Sequence, residues 1–271
     1  MRDANRGCGE PRRDLNRAAK WIWLLLLVLA ASPCPAADLT IEQVRDKLAA
    51  ATCEHPADFS GKSLDNLDLS GLDFKRANLS GANLFGAKLD GAKLSGANLS
   101  GARLDLAWIM RANFTNADLS KASLFGPVVS SGVDVSAAEG PSFKGANFSG
   151  ARIIARLSRL DLSGANFAGA MMGADMRNQS MGLMRTDLSG ANLAGANFTK
   201  ADLGRASLRF ANLAGANLTG ANLSGADLSG ADLTGADLTG VDAPDADFGT
   251  AVLTNVRGLE TVKGLTLPKA R

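Results

Sequence analysis

Enzyme chemistry needs reactive side chains brought together, and this chain of 271 residues offers few of them. Its single histidine, His55, stands two positions from Cys53, with Glu54 between them. A thiol beside an imidazole can serve nucleophilic catalysis, but only with an orienting third group and a pocket for the substrate. A short polar linker provides neither, and no pocket is expected around Cys53–His55. Five of the seven methionines fall in residues 171–184, MMGADMRNQSMGLM. Thioether sulfur is a soft ligand suited to copper(I), which makes Met171, Met176, Met181 and Met184 candidate metal ligands. Methionine also fills gaps in an irregular core, and Met172, Met176 and Met181 fall at core-type positions. Packing accounts for the cluster better, so the expectation is no metal and no cofactor. Neither G-x-x-x-x-G-K-[ST], H-E-x-x-H nor C-x-x-C occurs. The chain reads as a non-enzyme.

What must position these residues is a repeat. Residues 220–240, GANLSGADLSGADLTGADLTG, say one five-residue phrase four times. Large apolar centres recur every fifth residue: Leu64, Leu69, Phe74, Leu79 and Leu84 in the first half, Leu188, Leu193, Phe198, Leu218 and Leu223 in the second. A period of five fits neither a helix at 3.6 nor a long strand at 2. It fits a very short strand followed by a corner. In Ala-Asn-Leu the outer two residues share a face, so Ala and Leu point inward and Asn outward. Ser-Gly then turns the chain, with Gly supplying positive φ. Four sides close a square coil of about 20 residues, stacked at roughly 4.8 Å on the next. An inward Ala such as Ala191 should reject a large side chain, while the outward Asn192 should accept Ser silently.

These phrases resemble the pentapeptide-repeat family, whose A-(D/N)-L-x-x consensus residues 187–240 follow closely. The resemblance implies an all-β fold, a right-handed quadrilateral β-helix of about nine coils over residues 57–255. Solenoids need end caps. Thr40-Ile41-Glu42-Gln43 has capping-box spacing, so residues 37–56 are expected to hold a short capping helix and a linker. The tail, 256–271, carries Leu259, Val262, Leu265 and Leu267, which would cap the last coil or pair with a second copy as a homodimer. Two passages break the pattern: a loop at 126–142 and the methionine-rich stretch at 171–186.

The first 36 residues read as a signal peptide. A basic stretch precedes Trp21–Ala31 (WIWLLLLVLAA), and small residues follow, with cleavage expected near Ala36. Eleven apolar residues are too few to span a bilayer, which takes about 20, so no stable span is expected after processing. The expectation is a periplasmic or secreted protein, the alternative an N-terminal membrane anchor. Residues 1–36 hold six Lys/Arg against three Asp/Glu, which leaves 23 against 24 in the remainder. That near-neutral body gives no electrostatic basis for binding nucleic acid directly.

The expected function is a non-catalytic periplasmic binding or scaffold module with an unidentified protein partner. The alternative comes from the resemblance: family members that mimic DNA and bind gyrase, a cytoplasmic enzyme. From Phe210 to Val256 there is no Lys or Arg, while Asp227, Asp232, Asp237, Asp242, Asp245 and Asp247 make an acidic end. Where outward slots hold apolar residues the sequence offers two readings: a seat for the loop 126–142, which leaves the coil directly after Phe125, or a protein-binding or self-association patch. Residues 20 apart share a column, which places Phe85 and Phe125 on one corner with Asp105 between them. Leu106 lies at the same turn, and Trp108 and Met110 flank the centre Ile109. Aromatic anchors of this kind dominate interface energetics.

Overall fold

The structure, a computed structural model, describes residues 37–132, 138–174 and 184–265. The expected signal peptide, Met176, Met181 and Leu267 lie outside the described residues. Residues Ala37–Arg271 form one unit. Helix α1 (Ile41–Ala50) opens it, started by a capping box: the Thr40 hydroxyl accepts from the Gln43 amide and the Gln43 side chain accepts from the Thr40 amide. Its Val44 is fully buried, and Ile41 and Leu48 pack against the first coil. The helix lids the core.

Above it the chain winds into the quadrilateral β-helix that the five-residue period predicts. Each side is a three-residue strand paired in parallel with its equivalent one coil away. Four columns of outward residues result. Face I runs Asp58, Asn78, Asn98, Asp118, Asn147, Asn166, Asn197, Asn217, Asp237. Face II runs Ser63, Asn83, Arg103, Ser123, Arg152, Met171, Asp202, Asn222, Asp242. Face III holds Asp68, Lys88, Trp108 and Val128, then Arg156, Asp187, Ser207, Asp227 and Asp247. Face IV continues through Asp73, Lys93, Asn113 and Ser142 to Asp161, Asn192, Asn212, Asp232 and Val252. Strand β1 (Ser123–Phe125) pairs with β2 (Arg152–Ile154) on face II.

Inside, every described centre from Phe59 to Phe248 is buried, and so is the small residue two positions before nearly all of them. Where Ala243 takes a centre slot, Val241 takes the small one, and both are fully buried. The swap conserves volume, which a close-packed core tolerates best. Phenylalanines gather in the coils that the two excursions interrupt: Phe148, Phe167 and Phe198 stack with centroids 5.0 and 4.8 Å apart, and Phe114 stacks on Phe143 at 5.0 Å. The 3-10 turn Leu259–Thr261 closes the far end, with Leu259, Val262 and Leu265 against the core.

Outward Asn and Asp build the corners and tie the coils together. The Oδ1 of each accepts from the amide two residues on, as Ser60 N to Asp58 (3.0 Å) and Ser224 N to Asn222 (3.0 Å). Asn also donates its Nδ2 one coil back, as in Asn147 to Asp118, Asn166 to Asn147 and Asn197 to Asn166, each 2.9 Å. The expected silence of Asn192→Ser is therefore corrected. Asn192 donates to Asp161 (3.1 Å) and accepts from Asn212 (3.1 Å) and from the Ala194 amide (3.3 Å).

Corners hold glycine at positive φ, yet twelve described corner residues with positive φ are not glycine. Several of these lean over the glycine one coil above. Phe210 (φ 54°) is the bulkiest, and a Cβ built on Gly230 would collide with its ring. A Cβ on Gly235, at nearly the same φ, would meet nothing within 4 Å.

Two expectations follow for stability. Ala191→Leu should cost about 1–3 kcal/mol by overpacking, and Asn192→Ser a smaller but measurable amount, roughly 0.5–1.5 kcal/mol, in chemical denaturation. Equal effects would reverse the inward and outward assignments. Gly235→Ala should cost about 1–2 kcal/mol from backbone conformation alone. Gly230→Ala should cost more, and Phe210→Ala should erase the difference. A Gly230 variant no worse than its Gly235 counterpart would mean the ring moves aside freely.

Candidate functional site

Two surfaces depart from the polar repeat. The first lies on face III and its corner with face II, where the expected apolar residues meet. Leu106 and Trp108 are exposed at 45% and 44%, and Leu106 holds φ 57°, a conformation uncommon for a non-glycine residue. Val128 pairs with Trp108 one coil on and is half-buried. Met110 is half-buried at the next corner. Phe85 and Phe125 do share a corner column with Asp105, but neither presents a bare ring. The Arg103 guanidinium lies 4.4 Å from the Phe85 centroid and also bonds Asp105 at 2.9 Å, while Arg152 lies 5.9 Å from the Phe125 ring. Asp105 further accepts from the Ser123 hydroxyl (2.6 Å) and the Phe125 amide (3.0 Å). Burial works against the charged form of Asp105, yet these bonds hold its carboxyl below the usual aspartate range.

Coil length explains why this surface sits where it does. Equivalent residues are normally 20 apart, but Asp118 to Asn147 spans 29, Asn147 to Asn166 spans 19, and Asn166 to Asn197 spans 31. The long coils carry the excursions, one between Val128 and Ser142, the other between Met171 and Asp187. Both open at edges of face III. The short coil loses one residue at the corner after β2. No ladder bond then joins Val128–Val129 to Ala155–Arg156, and a cavity of about 330 Å³ opens between them. The slip is visible in the sequence as centres Ile153 and Leu157, four apart; the cleft it makes is not. Thr186 compensates inside: it is fully buried in a small-residue slot and donates to the Ile153 carbonyl at 2.7 Å.

The second surface is the acidic end. Asp227 and Asp247 lie on face III, Asp232 on face IV, Asp237 on face I and Asp242 on face II, so carboxylates encircle the last two coils. Cations reach only its margins: Arg209 meets Asp227 at 3.3 Å and Arg257 meets Asp237 at 3.4 Å. Side-chain bonds from Thr234 and Thr239, backed by the amides of those residues, hold Asp232 and Asp237 below the usual aspartate range. Burial pushes Asp227 up, but bonds from Ser229 and Arg209 outweigh it and its net shift is also downward. All three are ionised at neutral pH. Phe210, 64% exposed with Arg209 beside its ring at 5.6 Å, stands at the edge of this region. Its signal was available in the sequence: a large residue in a glycine slot.

The remaining chemical candidates stay apart from both surfaces. Contrary to expectation, Cys53 does line a cleft, about 480 Å³ between α1 and the first coils, although His55 does not. Thr52 and His55 close a turn: the Thr52 amide donates to the His55 carbonyl and the His55 amide to the Thr52 hydroxyl, each at 3.0 Å. Met171 is exposed on face II between Arg152 and Asp202, and Met184 borders the face III cleft. Among the described residues no group of three or more His, Cys, Asp or Glu could hold a metal, and no helix is long and apolar enough to cross a membrane.

A solenoid of this geometry, its outward columns set on four rigid faces, defines a non-catalytic protein-binding module. The sequence matches the family of pentapeptide repeats in eight copies, over residues 57–91, 87–126, 183–220, 201–240 and 216–255, which together make more than half of the chain. It belongs to the pentapeptide-repeat family. Among solved structures it is similar to HetL, a pentapeptide repeat protein involved in heterocyst differentiation regulation from the cyanobacterium Nostoc sp. strain PCC 7120. That match has 28% identity and covers 83% of this chain and 96% of HetL, with a TM-score of 0.37. It is also similar to full-length QnrB1, a plasmid-mediated fluoroquinolone resistance protein, with 22% identity over 72% of this chain and 92% of QnrB1, TM-score 0.39. No curated protein matches the sequence. The expected periplasmic or secreted location is corrected by these relatives, neither of which is a periplasmic or secreted protein. The apolar stretch behind that expectation lies outside the described residues.

A pH dependence follows from the corner aspartates. For Asp227, Asp232 and Asp237 the folded-state pKa lies below that of the unfolded chain, so the stability they contribute is complete above the ordinary aspartate range, near pH 4. It drains as pH falls through that range and past the depressed values. Thermal melting should be flat from neutrality down to about pH 5 and fall steeply below about pH 4. Replacing Asp232 and Asp237 with Asn should flatten the acid limb, and an unchanged limb would separate these aspartates from acid lability.

Proposed function

We propose that this chain is a DNA-mimic type regulator, whose acidic coils bind the basic nucleic-acid surface of an enzyme such as gyrase. The carrying observation is the collar itself. Six aspartates occupy the two coils between Asn217 and Val256, a stretch free of Lys and Arg, and they face outward on all four sides. Two coils rise about 10 Å, so the six carboxylates lie at roughly one per 1.6 Å of axis, or roughly one per 2.4 Å once Asp227 and Asp237 are set against Arg209 and Arg257. Duplex DNA carries one per about 1.7 Å. Lowered pKa values keep Asp227, Asp232 and Asp237 charged, and the ladder and corner bonds keep the collar rigid, which removes an ordering cost on binding.

Asn occupies the slots one coil back from Asp232 and Asp242, at Asn212 and Asn222, and an Asn in place of Asp247 keeps the Oδ1 that accepts from the Gly249 amide, so the collar can be neutralised without disturbing the fold. Purified chain should inhibit gyrase supercoiling, and the inhibition should weaken as salt rises. The triple variant Asp232→Asn, Asp242→Asn, Asp247→Asn should melt within about 0.5 kcal/mol of the parent and lose most of the inhibition. Supercoiling untouched by the parent, or inhibition equally strong with the triple variant, would remove this reading.

A further inference from the structure

We infer that the cleft on face III is a second docking site, built for an acidic segment of a partner protein that carries an apolar anchor. Independent departures from the repeat converge there. The outward slot is polar in nearly every coil, yet Trp108 and Val128 fill it in adjacent coils. Leu106 stands exposed beside them in a glycine-type corner, and its side chain lies against Gly126. The one-residue deletion after β2 breaks the ladder immediately beyond Val128. The cavity it leaves has a floor of Pro127, Val129, Ile154 and Ala155, all buried. About 330 Å³ is ample for a leucine or phenylalanine side chain and its flanking backbone. An opened ladder costs hydrogen bonds, so its place beside the exposed Trp108 and Leu106 is a departure with a stability cost.

Charge decides the occupant. Arg156 and Arg185 line the open side, and neither has an acidic partner among the described residues. Asp187 is next in the column, but its Oδ1 accepts from the Ser189 amide at 2.9 Å and it makes no ion pair with Arg156. Two unpaired guanidinium groups at the rim of an apolar floor fit a ligand with one buried apolar side chain and adjacent carboxylates. This site lies coils away from the acidic collar and has the opposite charge preference, so it selects a different partner or a different region of the same one.

Panning a phage-displayed library of random peptides on the full-length chain tests this directly. Enriched peptides should pair Leu or Phe with neighbouring Asp or Glu. A synthesised winner should lose about tenfold or more in affinity with the double variant Arg156→Glu, Arg185→Glu, and similarly with Val128→Asp. It should keep its affinity for the Asp232→Asn, Asp242→Asn, Asp247→Asn protein, which separates this cleft from the collar. Both Arg positions are exposed, and unchanged melting of the double variant would exclude unfolding as the cause. Enrichment of basic peptides only, no enrichment at all, or equal affinity for the double variant would each overturn the proposal.

Discussion

Everything in this molecule depends on a backbone hydrogen-bond ladder that repeats every 20 residues. Each coil exchanges both amides and carbonyls with its neighbours: the Leu213 amide donates up to the Asp232 carbonyl (2.7 Å), and the Asp232 amide donates down to the Ala211 carbonyl (2.9 Å). A short three-residue strand cannot hold itself; stacked coils hold each other. Register is enforced from both sides of the wall. Inside, a one-residue slip would drive a centre outward and an Asn into the core. Outside, the amide columns bond when Asn stands over an acceptor, Asn, Asp or Ser, in the coil below. Asp can accept but not donate, so it fits below a run of amides, as Asp58 below Asn78 and Asp118 below Asn147.

The corners obey a second rule that follows from the first. Coils about 4.8 Å apart leave little room for a side chain at a corner unless the corner above is bare. Hence Lys121 lies under Gly150, Arg159 under Gly190 and Arg205 under Gly225. Glycine in this chain serves its lower neighbour as much as its own dihedral angles. Large corner residues spaced at least two coils apart within a column are the result, and long basic side chains can thereby be carried on a wall whose flat faces are mostly amide and carboxylate.

Fold and cap were legible because both are written locally. Five-residue phase survives single substitutions such as Ala243, and the Thr40–Gln43 box starts a helix by its own hydrogen bonds. The candidate surfaces were legible only in part. Columns follow from arithmetic, so Phe85, Asp105 and Phe125 could be stacked from numbering alone. That Arg103 would lie over Phe85 depends on side-chain reach across coils, which one-dimensional spacing does not carry. The face III cleft was harder still. A missing residue between Ile153 and Leu157 is trivial in one dimension and opens a wall in three, because every column above it must be re-registered at once.

A solenoid confines such a defect. Its energetics are close to a sum of coil and neighbour terms, so damage in one coil does not spread to coils that do not touch it. The coils around the cleft are also those in which phenylalanine replaces leucine at Phe143, Phe148, Phe167 and Phe198, with rings in contact from Phe114 onward. Stacked aromatic pairs contribute about 0.5–1.5 kcal/mol beyond the area they bury. The core is therefore most adhesive where the wall is least complete: two excursions leave it, one corner is a residue short, and Thr186 must cross inward to satisfy a carbonyl. That reinforcement lets the molecule keep an interrupted face in its middle and an uninterrupted, highly regular acidic end, two surfaces of opposite preference on one continuous core.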